Sequence, residues 1–147
     1  MSSVSSSVQQ VAADAEAARQ RIGGRVSYTA CLASRQIDGL WFKTENFQQT
    51  GSFKLRGALS KLTTLDTDTE VITASSGNHG IACSHAAKTT GHRLTVVLPE
   101  TVATAKLEKI RSYGTRVVLH PGDSGKAEQH ARALAAESGC VYVSPYN

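Results

Sequence analysis

The sequence predicts an α/β protein built on an open parallel sheet of βαβ units. Two observations carry that expectation. Short β-branched runs begin at residues 71, 94, 116 and 140 and alternate with three segments of helical periodicity. The boundaries also carry the right punctuation: Gly91, Gly114 and Gly139 close the helical segments, and Pro99 and Pro145 stop two of the runs.

In chain order, the serine-rich opening MSSVSSSVQQ has neither a basic head nor an apolar run, so it reads as a frayed tail and not as a secretory leader. Val11, Ala15, Ala18 and Ile22 recur at helical spacing before Gly23-Gly24, which places a helix over 11–22. Val26, Tyr28 and Ala30 alternate as on a short strand, and 40–43 forms another. Phe53, Leu55, Ala58, Leu59 and Leu62 suit a helix over 52–62, entered from the turn Thr50-Gly51-Ser52. Residues 71–74 then make a strand that ends in Ser75-Ser76-Gly77, followed by a helix from 78 to 88. A strand over 94–98, a helix over 102–113 with Leu107 and Ile110 on one face, and a strand over 116–119 come next. The segment 124–138 is an amphipathic helix with Ala127, Ala131, Leu134 and Ala135 inward, and 140–143 is the last strand.

Composition narrows the function classes. The chain has 147 residues, 40% hydrophobic and 19% charged, as in an ordinary globular domain. A net charge of +4 raises the question of nucleic acid, but the 16 Lys and Arg are scattered singly among 12 acids and aromatics are only 5%. That pattern is a solvated surface, not a nucleic-acid footprint. Cys31, Cys83 and Cys140 are far apart and form no CxxC pair, and the five histidines show no ligand spacing. Reduced thiols, a cytoplasmic setting and no metal follow. No apolar stretch approaches the ~20 residues that cross a bilayer, so no membrane partner is expected.

Two segments carry chemistry. In an open parallel sheet, ligands sit beyond the carboxyl ends of strands. There, Ser75-Ser76-Gly77 leads into Asn78-His79-Gly80, where a helix start offers unpaired N–H groups to a small anion. Gly77 and Gly80 would let that anion approach the backbone. An ordinary crossover helix with a Ser or Asn cap satisfies the same local pattern equally well. The second segment is Lys54, set between Phe53 and Leu55. Partial burial there would free its amine for imine chemistry, although a surface lysine at a helix start is the commoner case.

Together the segments point further. The stretch from Lys43 through Glu45, Ser52-Phe53-Lys54 and Arg56-Gly57-Ala58 resembles the lysine-attachment signature of fold-type II pyridoxal-phosphate enzymes, and Ser75–Gly80 resembles their substrate loop. The order and the separation of the two both fit. The threonine/serine dehydratase and serine racemase group is the nearest likeness, over residues 17–147. The resemblance implies pyridoxal 5'-phosphate as cofactor and roles for individual residues. Lys54 would carry the cofactor covalently and then act as base on the substrate Cα–H, with Phe53 beside the pyridine ring and Asn78 on the ring hydroxyl. Ser75, Ser76, Gly77, Asn78 and His79 would seat the carboxylate of an amino-acid substrate, largely through backbone N–H groups.

Dehydration of L-threonine or L-serine by α,β-elimination is the first reading. Ser76 keeps a racemase in view, because serine racemases use a serine there as acid/base opposite the lysine; hydroxyaspartate ammonia-lyase is a further alternative. A non-catalytic α/β module that binds a small anion is the reading from outside the enzymes. Gly122-Asp123-Ser124-Gly125-Lys126 resembles the end of a phosphate loop, but His120 and Ala127 stand where its glycine and its Ser/Thr belong. His85, His92, His120 and His130 are expected at the surface or at strand ends, and Cys83 on the inner face of its helix.

The resemblance also implies a division into residues 1–69, an incomplete N-terminal portion of the large cofactor domain, and residues 70–147, the small βαβ domain. It implies a truncated chain that lacks the glycine-rich phosphate loop and has little activity alone, from a protein that is a homo-oligomer at full length. Thr29–Ser34 departs from the family's usual Thr-Pro-Leu stretch. Trp41, Phe42, Phe47 and Phe53 are expected to be exposed as an apolar patch.

Overall fold

The structure is a computed structural model and describes residues 7–146. The expectation of a frayed tail falls mainly on residues 1–6, outside that range. Ser7 caps the first helix, α1 (Val8–Ile22), by accepting a hydrogen bond from Gln10 N–H at 3.2 Å, so the helix starts before Val11. A two-stranded antiparallel ribbon follows, β1 (Cys31–Ala33) and β2 (Trp41–Lys43). A 3₁₀ turn (Glu45–Phe47) leads to α2 (Lys54–Leu62).

The sequence pattern places a strand over Val26–Ala30, and this is corrected: that segment forms no strand. The Gln48 side-chain amide takes the place of a neighbouring strand. It donates to Ser27 C=O at 2.7 Å and accepts from Ser27 N–H at 3.1 Å.

Beyond Leu62 the alternation is as expected: β3 (Val71–Ala74), α3 (Asn78–Thr90), β4 (Leu94–Pro99), α4 (Thr104–Arg111), β5 (Arg116–His120), α5 (Ser124–Ser138) and β6 (Val141–Tyr142). The four strands form one sheet in the order β5-β4-β3-β6, and every pairing is parallel. β6 is shorter than expected, yet Val143 N–H still bonds Ile72 C=O at 2.9 Å.

The order explains the layers. The chain steps outward from β3 to β4 to β5 and then returns across the sheet to place β6 on the other side of β3. With right-handed crossovers, reversing direction switches the helix to the opposite face. Accordingly α3 and Ile110 of α4 pack with Val71, Leu94, Val96 and Leu98, while Ala127, Ala131 and Ala135 of α5 pack with Ile72, Ala74 and Val97. The reversal leaves a crevice at the carboxyl ends of β3 and β6, the usual ligand position in such sheets.

α2 joins the first of these clusters. Leu55, Leu59 and Leu62 are fully buried against Ala82, Cys83 and Ala86 of α3, so the apolar cluster crosses position 69. His92, just before the start of β4, is buried, with Nδ1 2.7 Å from Thr90 Oγ1. Tyr28, Leu32, Trp41, Phe42, Phe47 and Phe53 are exposed, Trp41 by 62%. Truncating a fully buried leucine removes its transfer energy and leaves a cavity, so Leu59→Ala should lower stability by ~2–5 kcal/mol. Urea denaturation followed by circular dichroism reads that change as a lower midpoint.

Candidate active site

Lys54 is the first residue of α2, and Leu55 beside it is fully buried. Helical geometry then carries Lys54 along the rim of the cluster toward the sheet's crevice. Its ammonium donates a 2.8 Å hydrogen bond to Pro145 C=O and stands 5.3 Å from the centre of the Phe53 ring. A cavity of about 240 Å³ opens here, walled by Phe53, Lys54, Gly57, Ala58, Lys61 and His79, and by the segment after β6, 143–146.

Polar side chains fix the turn that feeds Lys54. Arg56 grips Glu45 as a fork, with Nε to Oε2 at 2.9 Å and Nη2 to Oε1 at 2.8 Å, and Nη2 also donates to Ser27 C=O at 3.2 Å. The Thr29 hydroxyl donates to the same carboxylate. Held mainly by the Arg56 guanidinium, Glu45 is pushed down to about 2. Both residues belong to the signature read from sequence, but their pairing was not foreseen; opposite charges eleven positions apart were the available signal.

The turn after β3 has a different construction. Ser75 Oγ accepts from Gly77 N–H at 3.2 Å, so this hydroxyl is committed to its own loop. Gly77 caps α3 without any side-chain bond. Among the described residues, the N–H groups of Asn78, His79 and Gly80 have no acceptor, as expected for a first helical turn. Gly80 does not serve anion approach as the sequence suggested. A Cβ there would lie 2.0 Å from Ser75 C=O, so its bare Cα is occupied by the loop's own backbone. Gly77 has only Ser75 Oγ near, at 3.9 Å, and stays open.

Five of the seven expected site residues fall into two neighbouring hollows. Lys54, Phe53 and His79 line the first. Ser75 and Ser76 line a second, of about 150 Å³, with Ser124 and Glu128. Pro145 and Tyr146 line both and separate them. Gly77 and Asn78 line neither; Asn78 is exposed at the start of α3. The His79 imidazole turns inward, with Nε2 3.1 Å from Thr73 Oγ1, and burial lowers its pKa. Sequence reading missed Thr73, Val143 and Pro145 as parts of this site. The topological rule for parallel sheets was the signal for the last two, once β6 was known to lie beside β3. Two larger hollows, of about 310 and 320 Å³, do not include Lys54, Ser75 or Ser76.

An amine at the crevice of a parallel sheet, with a turn of free N–H groups at the end of the neighbouring strand, defines a class, and the comparisons identify it. The chain belongs to the family described as pyridoxal-phosphate dependent enzyme, whose model matches residues 24–147. It is 39% identical over 144 residues to the serine racemase of Rattus norvegicus, covering 90% of this chain and 43% of that one. It is 35% identical over 138 residues to the L-threo-3-hydroxyaspartate ammonia-lyase of Saccharomyces cerevisiae, covering 88% and 42%. Among solved structures, the threonine deaminase of T.th. superposes with a TM-score of 0.80 at 38% identity, over 95% of this chain and 45% of that one. The chain therefore spans about two fifths of the length of the curated relatives it matches. Its fold is that of fold-type II members, and the family's cofactor is pyridoxal 5'-phosphate.

The residues present fit the reactive end of that cofactor. Lys54 offers an amine, Phe53 an aromatic face 60% exposed beside it, and Gly57 and Ala58 leave room. Lys61 is the second cation on the cavity wall.

The Glu45–Arg56 pair sets a pH dependence whose sign is fixed. Glu45 titrates near 4.5 when unpaired and near 2 when folded, so its contribution is complete above about 4.5 and is lost as pH falls toward 2. Glu45→Gln should therefore lower the melting temperature at pH 6, and the gap to the parent should close as pH approaches 2. A gap that stays constant over that range would contradict the pairing.

Proposed function

We propose that this chain carries the reactive lysine and the carboxylate-binding turn of a pyridoxal-phosphate-dependent ammonia-lyase acting on L-threonine or L-serine by α,β-elimination. The observation that supports this most is Lys54, whose amine stands at the mouth of a cavity at the switch point of a parallel sheet. Bound pyridoxal phosphate supplies the electron sink for the charge left when the Cα–H bond breaks. The roles of the chain's own residues follow. Lys54 Nζ leaves Pro145 C=O and takes the Cα proton. The N–H groups of Asn78 and His79, at the positive end of the thirteen-residue α3, hold the substrate carboxylate with the turn Ser75-Ser76-Gly77 and orient the Cα–H bond. Phe53 would pack beside the cofactor's pyridine ring. Loss of the β-hydroxyl with that proton releases water, and hydrolysis of the remaining imine releases ammonia and a 2-oxo acid.

Function thus divides at position 69: the first part contributes the base and the second the anion seat. The three free cysteines support a reducing, cytoplasmic setting. Among the described residues no helix is long and apolar enough to cross a membrane. The exposed face around Trp41 and Phe42 supports association of the full-length protein with itself.

The test is to mix the chain with pyridoxal phosphate, reduce with borohydride and map the label. Label should concentrate on Lys54 and vanish in Lys54→Ala; label spread evenly over surface lysines would refute the assignment. Where ammonia release is measurable, Lys54→Ala should reduce it by at least ~100-fold.

Ser76 favours a second reading, amino-acid racemisation, because this residue lines the hollow on the far side of Pro145 from Lys54. A proton donor and a proton acceptor on opposite sides of Cα are what inversion requires. Ser76→Ala should then abolish racemisation and spare ammonia release. Equal loss of both activities would remove the two-base idea.

A further inference from the structure

The buried His79 side chain lies against Thr73 and Val143, whose own hydrogen bond fixes which ring nitrogen carries the proton. Val143 C=O can only accept, so the Thr73 hydroxyl, 2.6 Å away, must spend its single proton on that oxygen. Thr73 Oγ1 then has only lone pairs to offer the imidazole nitrogen 3.1 Å from it. His79 Nε2 therefore carries the ring proton. It shares that proton with Val143 C=O at 3.4 Å; Cys83 Sγ lies beside the ring, 3.4 Å from Nε2 and 3.9 Å from Nδ1, and Nδ1 is left without the proton.

The location of this chain of bonds gives it a consequence. Val143 N–H makes the last backbone bond to the sheet, to Ile72 C=O. After it, 144–146 run free of any ladder among the described residues, and the only bond that ties them to another element is Lys54 to Pro145 C=O. Thr73 and His79 grip Val143 C=O at the root of that segment, from the strand end and from the first turn of α3. The segment is also the partition between the two hollows.

We propose that His79 is a positioning residue. As a neutral Nε2–H donor it pins Thr73 and Val143, sets the place of Pro145 C=O, and so determines where the Lys54 amine rests and how readily it is released. This gives the histidine of the Ser75–Gly80 turn a side-chain task separate from its backbone N–H. The inference rests on Lys54 being the amine that matters, but it needs no cofactor for its test. Failure of Lys54 to take label from pyridoxal phosphate would overturn the proposed function and leave this positioning role standing.

The experiment is trace acetylation of the full chain with acetic anhydride, with Lys54 and Lys61 compared peptide by peptide. His79→Leu should raise the Lys54 rate relative to Lys61 by about three- to tenfold, the factor that one lost hydrogen bond sets. His79→Gln, whose amide N–H reaches the same oxygen, should restore the parental ratio. Thr73→Val cuts the link while keeping the imidazole, and should reproduce the rise; it also serves if His79→Leu does not fold. Side-chain ¹⁵N–¹H spectra should place the His79 proton on Nε2 in the parent. An unchanged Lys54:Lys61 ratio in His79→Leu and Thr73→Val, no rescue by His79→Gln, or a proton on Nδ1 would each overturn the proposal.

Discussion

Packing of α2 on α3 is the contact on which the candidate site depends. Three leucines of α2, Leu55, Leu59 and Leu62, are fully buried against a helix whose facing positions are small: Ala82, Cys83 and Ala86. Small residues let the two axes approach closely, and each buried leucine contributes about 1.5–3 kcal/mol of transfer energy. Because α3 is also clamped to β3 through the Gly80–Ser75 approach, α2 is positioned indirectly against the sheet. Lys54, one residue before the first leucine, thereby reaches the crevice at β6 although it is 91 positions from Pro145 in the chain.

Apolar burial places the helix, and polar contacts set its reactive end. The Glu45–Arg56 fork, with Thr29 and Ser27 attached, holds the segment before α2 where no strand pairing is available. On the other side of the cavity, Thr73 and His79 do the equivalent work for the segment after β6. Both groups are part-buried or buried, where a hydrogen bond left unmade costs more than it does in water. The site is therefore built of two rigid walls, and Lys54 bridges them through one exchangeable bond.

Much of this was legible in the sequence. The α/β class, the order of its elements and the small-residue face of α5 follow from periodicity, since side-chain spacing of 3.6 or 2 is a local property. Lys54 and the turn 75–80 were legible through their likeness to a family signature, and the match over residues 24–147 agrees with it. Errors arose where a side chain replaced backbone: Gln48 satisfying Ser27 turned an expected strand into a segment that forms no strand. Gly80 was misread for a related reason, because a glycine that admits an anion and one that admits a neighbouring carbonyl look alike in one dimension.

The sequence alone determined most of the elements, because those depend on residue type and on spacing within a few turns, and its likeness to a family signature pointed to the chemical class. Tertiary structure alone decided that β6 returns beside β3, that Pro145 C=O receives Lys54, and that His79 turns inward to Thr73 and Val143. Except for His79 and Thr73, six positions apart, those relations join residues 64–91 positions apart. They follow from the right-handed crossover of α5 and from burial on both faces of the sheet, which no local pattern encodes.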